Sequence, residues 1–142
     1  MAKSKSNPAL PPGWKPPRVL DIGQMYACTF AMRDVEVRGK PLVEVMTLMA
    51  PLADLEADLK ERLKLERRDP RTKYYIRKSG PRYSYGFYRE SWALKLYDFL
   101  RKADLDREVY HSIMGLLFGY TPEAIQQLIS KDKKDHFQKL KK

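Results

Sequence analysis

Alternating apolar and polar residues predict two strands near the start of the chain. Residues 24–37 alternate, and residues 42–49 are again largely apolar. The apolar side of the first segment comprises Tyr26, Cys28, Phe30 and Met32. Gly39 lies between the segments, and glycine adopts the positive φ that tight turns need. The pattern predicts a β-hairpin in which Cys28 is a core residue.

An amphipathic helix is predicted to follow from Pro51. Its apolar stripe comprises Leu52, Leu55, Leu59 and Leu63. Acidic residues lie early in this segment and basic residues lie late, which is the order that complements the helix dipole. The helix is expected to end by Asp69-Pro70, because the residue before a proline avoids helical angles.

Residues 71–89 combine aromatic and basic side chains, and they predict a second hairpin. Its strands are 73–78 and 82–88, separated by the turn Ser79-Gly80-Pro81. Period-two alternation places Tyr83, Tyr85 and Phe87 on one face. Tyr83 and Tyr85 are candidates for base stacking. The alternative is that these aromatic residues pack the sheet onto the helices while the basic residues protect its edge.

Three helices are predicted after the second hairpin. The first runs from Glu90 to about Lys102, and its expected buried face comprises Trp92, Leu96, Phe99 and Leu100. Apolar residues at helical spacing then recur from Leu105 to Leu117. Gly119 follows as the usual left-handed residue after a helix end, and Thr121 is a candidate N-cap for the last helix.

Residues 110–130 combine glycines and apolar residues at fixed positions: Gly115 in the first helix, Gly119 in the turn between Phe118 and Tyr120, and Ile125 and Leu128 in the second helix. This pattern resembles the helix-turn-helix DNA-binding motif. The resemblance implies that the exposed Gln126 and Gln127 approach bases, since glutamine can bond adenine edges. The segment departs from a typical recognition helix because it has no Arg or Lys before Lys131. A plain αα-hairpin that only packs the core is the alternative.

Together these segments predict a single α+β domain over residues 18–130. Its elements are two β-hairpins with an intervening helix, followed by a C-terminal three-helix segment. The two hairpins could join into one four-stranded antiparallel sheet. Residues 1–17 form a Pro-rich basic arm that contains Trp14, and residues 131–142 form a basic tail. The arm is a candidate contact for a protein partner, and Trp14 is expected to dock on the domain.

Net charge indicates a polyanionic partner. The 142 residues carry a formal charge of +10, and residues 60–89 contain eleven Lys and Arg against three Asp and Glu. Nucleic acid is the first polyanion to consider, whereas a solvated surface kept for solubility is the alternative. The candidate nucleic-acid-binding residues are Lys60, Lys64, Arg67, Arg68, Arg71, Lys73, Arg77, Lys78, Arg82, Gln126 and Gln127.

Catalytic and metal-binding patterns are not found in the sequence. Two histidines, His111 and His136, lie far apart, and one cysteine cannot form an internal disulfide or a zinc site. No cofactor, catalytic residue or membrane contact is predicted, and a reducing compartment such as the cytoplasm is expected.

These observations favour a non-enzymatic nucleic-acid-binding protein, with DNA favoured over RNA. The alternative is a small interaction protein. It would be a ribonucleoprotein component, or a phage- or plasmid-type protein that binds a host nucleic-acid machine.

Overall fold

The computed structural model describes residues 16–127 and 129–131, and its fold is α+β. The elements in chain order are α1 (Ile22–Glu36), β1 (Leu42–Leu48), α2 (Leu52–Glu66), β2 (Lys73–Ser79), β3 (Arg82–Tyr88), α3 (Ser91–Lys102), α4 (Arg107–Leu117) and α5 (122–131). Most of the predicted arm, including Trp14, lies outside the described residues. So do Leu128 and the predicted tail after Lys131.

The sheet has three antiparallel strands in the order β1-β3-β2. β2 and β3 are joined by a short turn and pair from Lys73 opposite Tyr88 to Ser79 opposite Arg82. β1 pairs with the other edge of β3, and its register shifts between Glu44 and Met46. The predicted four-stranded sheet is therefore not found.

The predicted first strand, residues 24–37, is wrong because this segment forms α1. Asp21 caps the helix, and its side chain and that of Gln24 each accept a hydrogen bond from the other residue's backbone N–H. The buried residues follow helical rather than alternating spacing: Cys28, Ala31, Met32 and Val35. Apolar residues occur on both sides of α1, so the same sequence also alternates.

Helices cover both faces of the sheet, and each face has its own hydrophobic cluster. Tyr85 and Phe87 of β3 pack with α1 and α2. On the opposite face, Leu42 and Tyr75 pack with α3 and α4. This arrangement places α2 and α4 on opposite sides of the sheet.

The predicted buried face of α3 is corrected in part. The buried residues are Ala93, Tyr97 and Leu100, whereas Trp92 and Phe99 are exposed. The Tyr97 ring lies 5.1 Å from that of Tyr75, and its hydroxyl donates to Glu44 at 2.8 Å. These contacts turn the Tyr97 side of α3 toward the sheet.

Asp58 of α2 joins that helix to the segment before α1. Its buried carboxylate accepts hydrogen bonds from three consecutive backbone N–H groups, those of Arg18, Val19 and Leu20, at 2.7–3.1 Å. A buried carboxylate is tolerated when hydrogen bonds replace its hydration. Asp58 therefore fixes where the chain enters α1.

Glu36 makes the corresponding contact at the other end of α1. Its carboxylate accepts from the backbone N–H groups of Arg68 and Asp69 at 3.2 Å and 3.0 Å, and from the Thr72 hydroxyl at 2.6 Å. Glu36 thus holds the connection between α2 and β2 against α1.

Gly86 provides a direct test of the sheet packing. A Cβ at this position would lie 2.0 Å from the Val43 carbonyl oxygen and 2.7 Å from the Tyr75 hydroxyl. We expect Gly86→Ala to lower the free energy of unfolding by about 3 kcal/mol, because a strand backbone cannot move aside as a flexible side chain can. Chemical denaturation measures this change.

Gly23→Ala is the matched control. Gly23 lies in α1, where a Cβ would meet Asp21 at an ordinary 3.4 Å. Alanine should stabilise this helix by about 0.5–1 kcal/mol. Equal stabilities of the two variants would contradict the strand pairing described above.

Candidate nucleic-acid interface

The exposed side of α2 and the turn after it carry a cluster of basic residues, here called the α2 basic surface: Lys60, Lys64, Arg67 and Arg68. Lys60 and Lys64 are one helical turn apart because they are four residues apart, and they are exposed while Leu55, Leu59 and Leu63 are buried. Arg67 and Arg68 follow where the helix ends and the backbone becomes extended. All four side chains are therefore presented from one end of one helix.

Three of these side chains have no carboxylate partner in the part of the chain that the structure describes. Within residues 16–127 and 129–131, no carboxylate forms an ion pair with Lys60, Lys64 or Arg68. Arg67 donates one hydrogen bond to the Thr72 carbonyl at 3.1 Å. An unpaired cation needs no internal ion pair to be broken before it contacts a phosphate.

Other predicted basic residues lie along the β2–β3 pair. Lys73 is exposed at the start of β2, near the end of α2, whereas Lys78 and Arg82 are exposed beside the turn. The Lys78 ammonium lies 5.7 Å from the centre of the Tyr83 ring. Five residues of strand separate Lys73 from Lys78, which is about 17 Å. The basic residues therefore occupy both ends of the edge strand β2.

Two predicted basic residues are already paired. Arg77 bonds Asp98 through two nitrogens at 2.7 Å and 2.8 Å, and this contact lowers the pKa of Asp98. Arg71 bonds Asp69 and Glu90, and its hydrogen bonds lower the pKa of Asp69 to about 2. Arg71 and Arg77 are thus less available to a ligand than the α2 basic surface.

The two predicted stacking residues face the core. Tyr85 is fully buried under α1 and α2, so its ring cannot meet a base, and burial raises the pKa of its hydroxyl. Tyr83 is half-buried against the same cluster. Because both rings cover the central strand, the packing alternative accounts for these tyrosines better than base stacking does.

Sequence reasoning did not single out Arg101 and Lys102 at the end of α3. They line a cavity of about 320 Å³ with Arg77, Lys78 and Asp98. Arg101 donates to the Lys78 carbonyl at 2.8 Å and lies over the Tyr97 ring. Only the contact between α3 and the hairpin brings these residues together, so no local spacing in the sequence indicates the cluster.

α4 and α5 are joined by a tight turn with the predicted glycine geometry. Gly119 has φ +77°, and Tyr120 donates its N–H to the Gly115 carbonyl at 2.8 Å. The Thr121 hydroxyl accepts from the Ala124 N–H at 3.1 Å and so caps α5. The predictions of a left-handed Gly119 and a Thr121 N-cap are confirmed.

Gly115 lies where the two helices cross. A Cβ at Gly115 would lie 2.5 Å from Cγ1 of Ile125, which is buried on α5. Gln126 and Gln127 are exposed on the other side of α5. The close crossing lets a short turn join the helices and leaves the two glutamines facing outward.

The α2 basic surface and the two glutamines do not adjoin. α2 packs on the sheet face covered by α1, whereas α4 packs on the opposite face. The turn between α4 and α5 contacts Lys40, in the loop before β1, where a Cβ on Gly119 would lie 2.7 Å from its side chain. β1 and β2 are opposite edges of the sheet. The predicted residues thus form two separate candidate surfaces.

Other chemistry in the described residues is limited. The Cys28 thiol is buried, and burial raises its pKa to about 12, which disfavours the reactive thiolate. Among residues 16–127 and 129–131, no group of three or more His, Cys, Asp or Glu side chains is placed to hold a metal ion. No helix in the same part of the chain is long and apolar enough to cross a bilayer.

Comparisons with known proteins give no relative: no family model, no curated protein and no solved structure matches the chain.

The helix crossing at Gly115 can be tested by a double-mutant cycle. Gly115→Ala should lower the free energy of unfolding by about 1–3 kcal/mol, because the new methyl group meets Ile125. The same substitution should cost less in an Ile125→Ala background, where the opposing side chain is already removed. Thermal or chemical unfolding of the four proteins measures the difference. An equal cost in both backgrounds would place the crossing elsewhere.

Proposed function

We propose that this protein is a non-enzymatic nucleic-acid-binding protein whose main contact is the α2 basic surface. DNA is the favoured ligand and RNA is the second choice. The observation that carries the proposal is the set of exposed cations on the α2 basic surface, three of which form no ion pair with any residue of 16–127 and 129–131. Phosphate contacts of this kind supply most of the affinity of proteins for nucleic acid.

The position of α2 also supports phosphate contact. Its cationic end is attached to the fold through Glu36, which fixes the Arg68 and Asp69 backbone. Arg62 is not part of the exposed set, because it is buried and paired with Glu66. The chain thus separates a structural arginine on the inner side of α2 from the outward basic residues.

The α4–α5 pair is a second contact in this proposal, separate from the α2 basic surface, and its role is to read base sequence. Gln126 and Gln127 would contact adenine edges in the major groove, while cations elsewhere on the chain contact phosphates. The geometry that supports this role is the tight Gly119 turn and the outward position of both glutamines. A helix that reads bases in this way belongs to a DNA-binding rather than an RNA-binding protein.

The salt dependence of binding tests the α2 basic surface. We expect Lys60→Gln, Lys64→Gln and Arg68→Gln together to lower the slope of log K against log salt by about three, one for each lost phosphate contact. Fluorescence anisotropy with a labelled duplex, measured between 50 mM and 200 mM salt, gives the slope.

Arg18→Gln, Arg33→Gln and Lys95→Gln form the control, since they remove the same charge from other exposed positions. This variant should keep the slope of the parent to within about one unit. An equal decrease in the salt slope for both triple variants would mean that binding depends only on the net charge of the protein. A parent that does not bind duplex DNA, single-stranded DNA or RNA at 50 mM salt would refute the proposed function.

Base reading by α5 is tested separately. Gln126→Ala with Gln127→Ala should remove about 1–3 kcal/mol of discrimination per bidentate contact, and it should leave the salt slope unchanged. Selection from a random duplex pool, followed by competition with the selected site, measures the discrimination. If the pool yields no preferred site for the parent protein, α4 and α5 form only a core hairpin.

A further inference from the structure

The cavity beside the end of α3 carries more positive than negative charge. It has a volume of about 320 Å³ and is lined by Arg77, Lys78, Asp98, Arg101 and Lys102. α3 contributes Tyr97 and Leu100 to the hydrophobic cluster on the sheet face opposite to α1 and α2. The cavity is therefore separate from the α2 basic surface, and it is here called the α3 cavity.

Asp98 is the one carboxylate among the lining residues, and Arg77 already binds it. One Asp98 oxygen accepts from Nε of Arg77 at 2.7 Å, and the other accepts from Nη2 at 2.8 Å. A bidentate pair of this kind fixes both side chains and balances their charges. The Lys78 ammonium lies over the Tyr83 ring, which packs on the other face of the sheet. Lys78 is therefore not counted among the charges of the α3 cavity.

Arg101 and Lys102 add two positive charges to the α3 cavity. Within residues 16–127 and 129–131, no carboxylate forms an ion pair with either of them. They follow Asp98 by three and four residues, so all three side chains lie on one side of α3. Hydrogen bonds from Arg77 are the main cause that lowers the pKa of Asp98, and the charges of these two cations lower it further. Two cations thus remain uncompensated beside the Arg77–Asp98 pair.

The guanidinium of Arg101 is held in place by uncharged groups. It donates to the Lys78 carbonyl at 2.8 Å, and its central carbon lies 5.5 Å from the centre of the Tyr97 ring. Tyr97 is itself fixed by its contacts with Tyr75 and Glu44. The bond to the carbonyl uses one of the five N–H donors of a guanidinium. An arginine oriented in this way can bind two oxygens of one anion with little further loss of side-chain entropy.

We propose that the α3 cavity binds the terminal phosphate of a phosphate monoester. Such a group carries a charge of about −1.5 to −2 at neutral pH and three acceptor oxygens, which matches two uncompensated cations and a guanidinium fork. A phosphodiester carries about one negative charge, so it is expected to bind less tightly. The small volume suits a phosphate group better than a large ligand.

Two sources could supply this phosphate group, namely a free nucleotide or the phosphorylated end of a nucleic-acid strand. The chemistry that recognises the group is the same for both. The proposal does not rest on nucleic-acid binding by the α2 basic surface, because a free nucleotide contains no strand.

Arg101 and Arg33 give a matched pair of variants. Both are exposed in the last turn of a helix, but Arg33 belongs to α1, on the other face of the sheet. Arg101→Gln should raise the Kd for a nucleoside 5′-monophosphate by about tenfold or more, because a charge-assisted contact is lost. Arg33→Gln should change it by less than about twofold. Arg101→Lys should give an intermediate Kd, since it keeps the charge but not the planar fork.

Lys102→Gln is a second variant in case Arg101→Gln weakens the fold. Lys102 is exposed, and substitutions at such positions rarely affect stability by more than about 0.5 kcal/mol. This variant should also raise the Kd for the nucleoside monophosphate several-fold, because one of the two uncompensated cations is removed. Circular dichroism confirms that each variant folds.

Isothermal titration calorimetry of the full chain at low salt measures these constants. The probes are inorganic phosphate, a nucleoside 5′-monophosphate, and a short single strand with either a 5′-phosphate or a 5′-hydroxyl end. A preference for the free nucleotide over the phosphorylated strand supports a small-molecule site, whereas the opposite preference supports a strand end.

Three results would overturn the proposal. The first is that neither inorganic phosphate nor the nucleoside monophosphate binds at about 1 mM, the range of weak ligands. The second is that the strand with a 5′-hydroxyl binds as tightly as the strand with a 5′-phosphate. The third is that Arg33→Gln weakens monophosphate binding as much as Arg101→Gln does.

Discussion

Two carboxylates on neighbouring helices, Asp58 and Glu36, hold in place the surface that we propose binds nucleic acid. Asp58 of α2 binds three successive backbone N–H groups ahead of α1, and Glu36 of α1 binds two backbone N–H groups and a hydroxyl after α2. Each helix thus satisfies backbone groups that flank the other, and neither contact can be replaced by hydrophobic packing. The basic end of α2 has a defined orientation because both contacts are present.

The fold was predictable where one periodicity dominated the sequence. Three residues of the predicted α2 stripe are buried, namely Leu55, Leu59 and Leu63, whereas Leu52 at the start of the helix is 46% exposed. The strand prediction for residues 24–37 failed because α1 has apolar residues on both sides, so periods of 2 and 3.6 fit it equally well. The capping pair of Asp21 and Gln24 is the local signal that could have distinguished a helix from a strand here, because it is specific to a helix start.

The sequence predicted which basic residues belong to the candidate site, but it did not predict which of their side chains are free to bind a ligand. The sequence identified the basic residues of 60–89, yet the partner of Arg77 is Asp98, which is distant in the chain. Arg71 pairs both with its neighbour Asp69 and with the more distant Glu90. Likewise, the burial of Tyr85 depends on α1, which was predicted as a strand. Helical turns are local, so Gly119 and Thr121 were placed correctly. Side-chain availability is a property of tertiary contacts, and residue type alone does not determine it.

Amide chemical-shift mapping by NMR tests most directly whether nucleic acid contacts the outward end of α2. A duplex of random sequence is titrated into the isotopically labelled full chain at low salt. We expect the largest shifts on residues 60–68 and on Lys73, with smaller shifts on Gln126 and Gln127 of α5. Saturable shifts confined to α1, or shifts spread evenly over every exposed lysine and arginine, would contradict it.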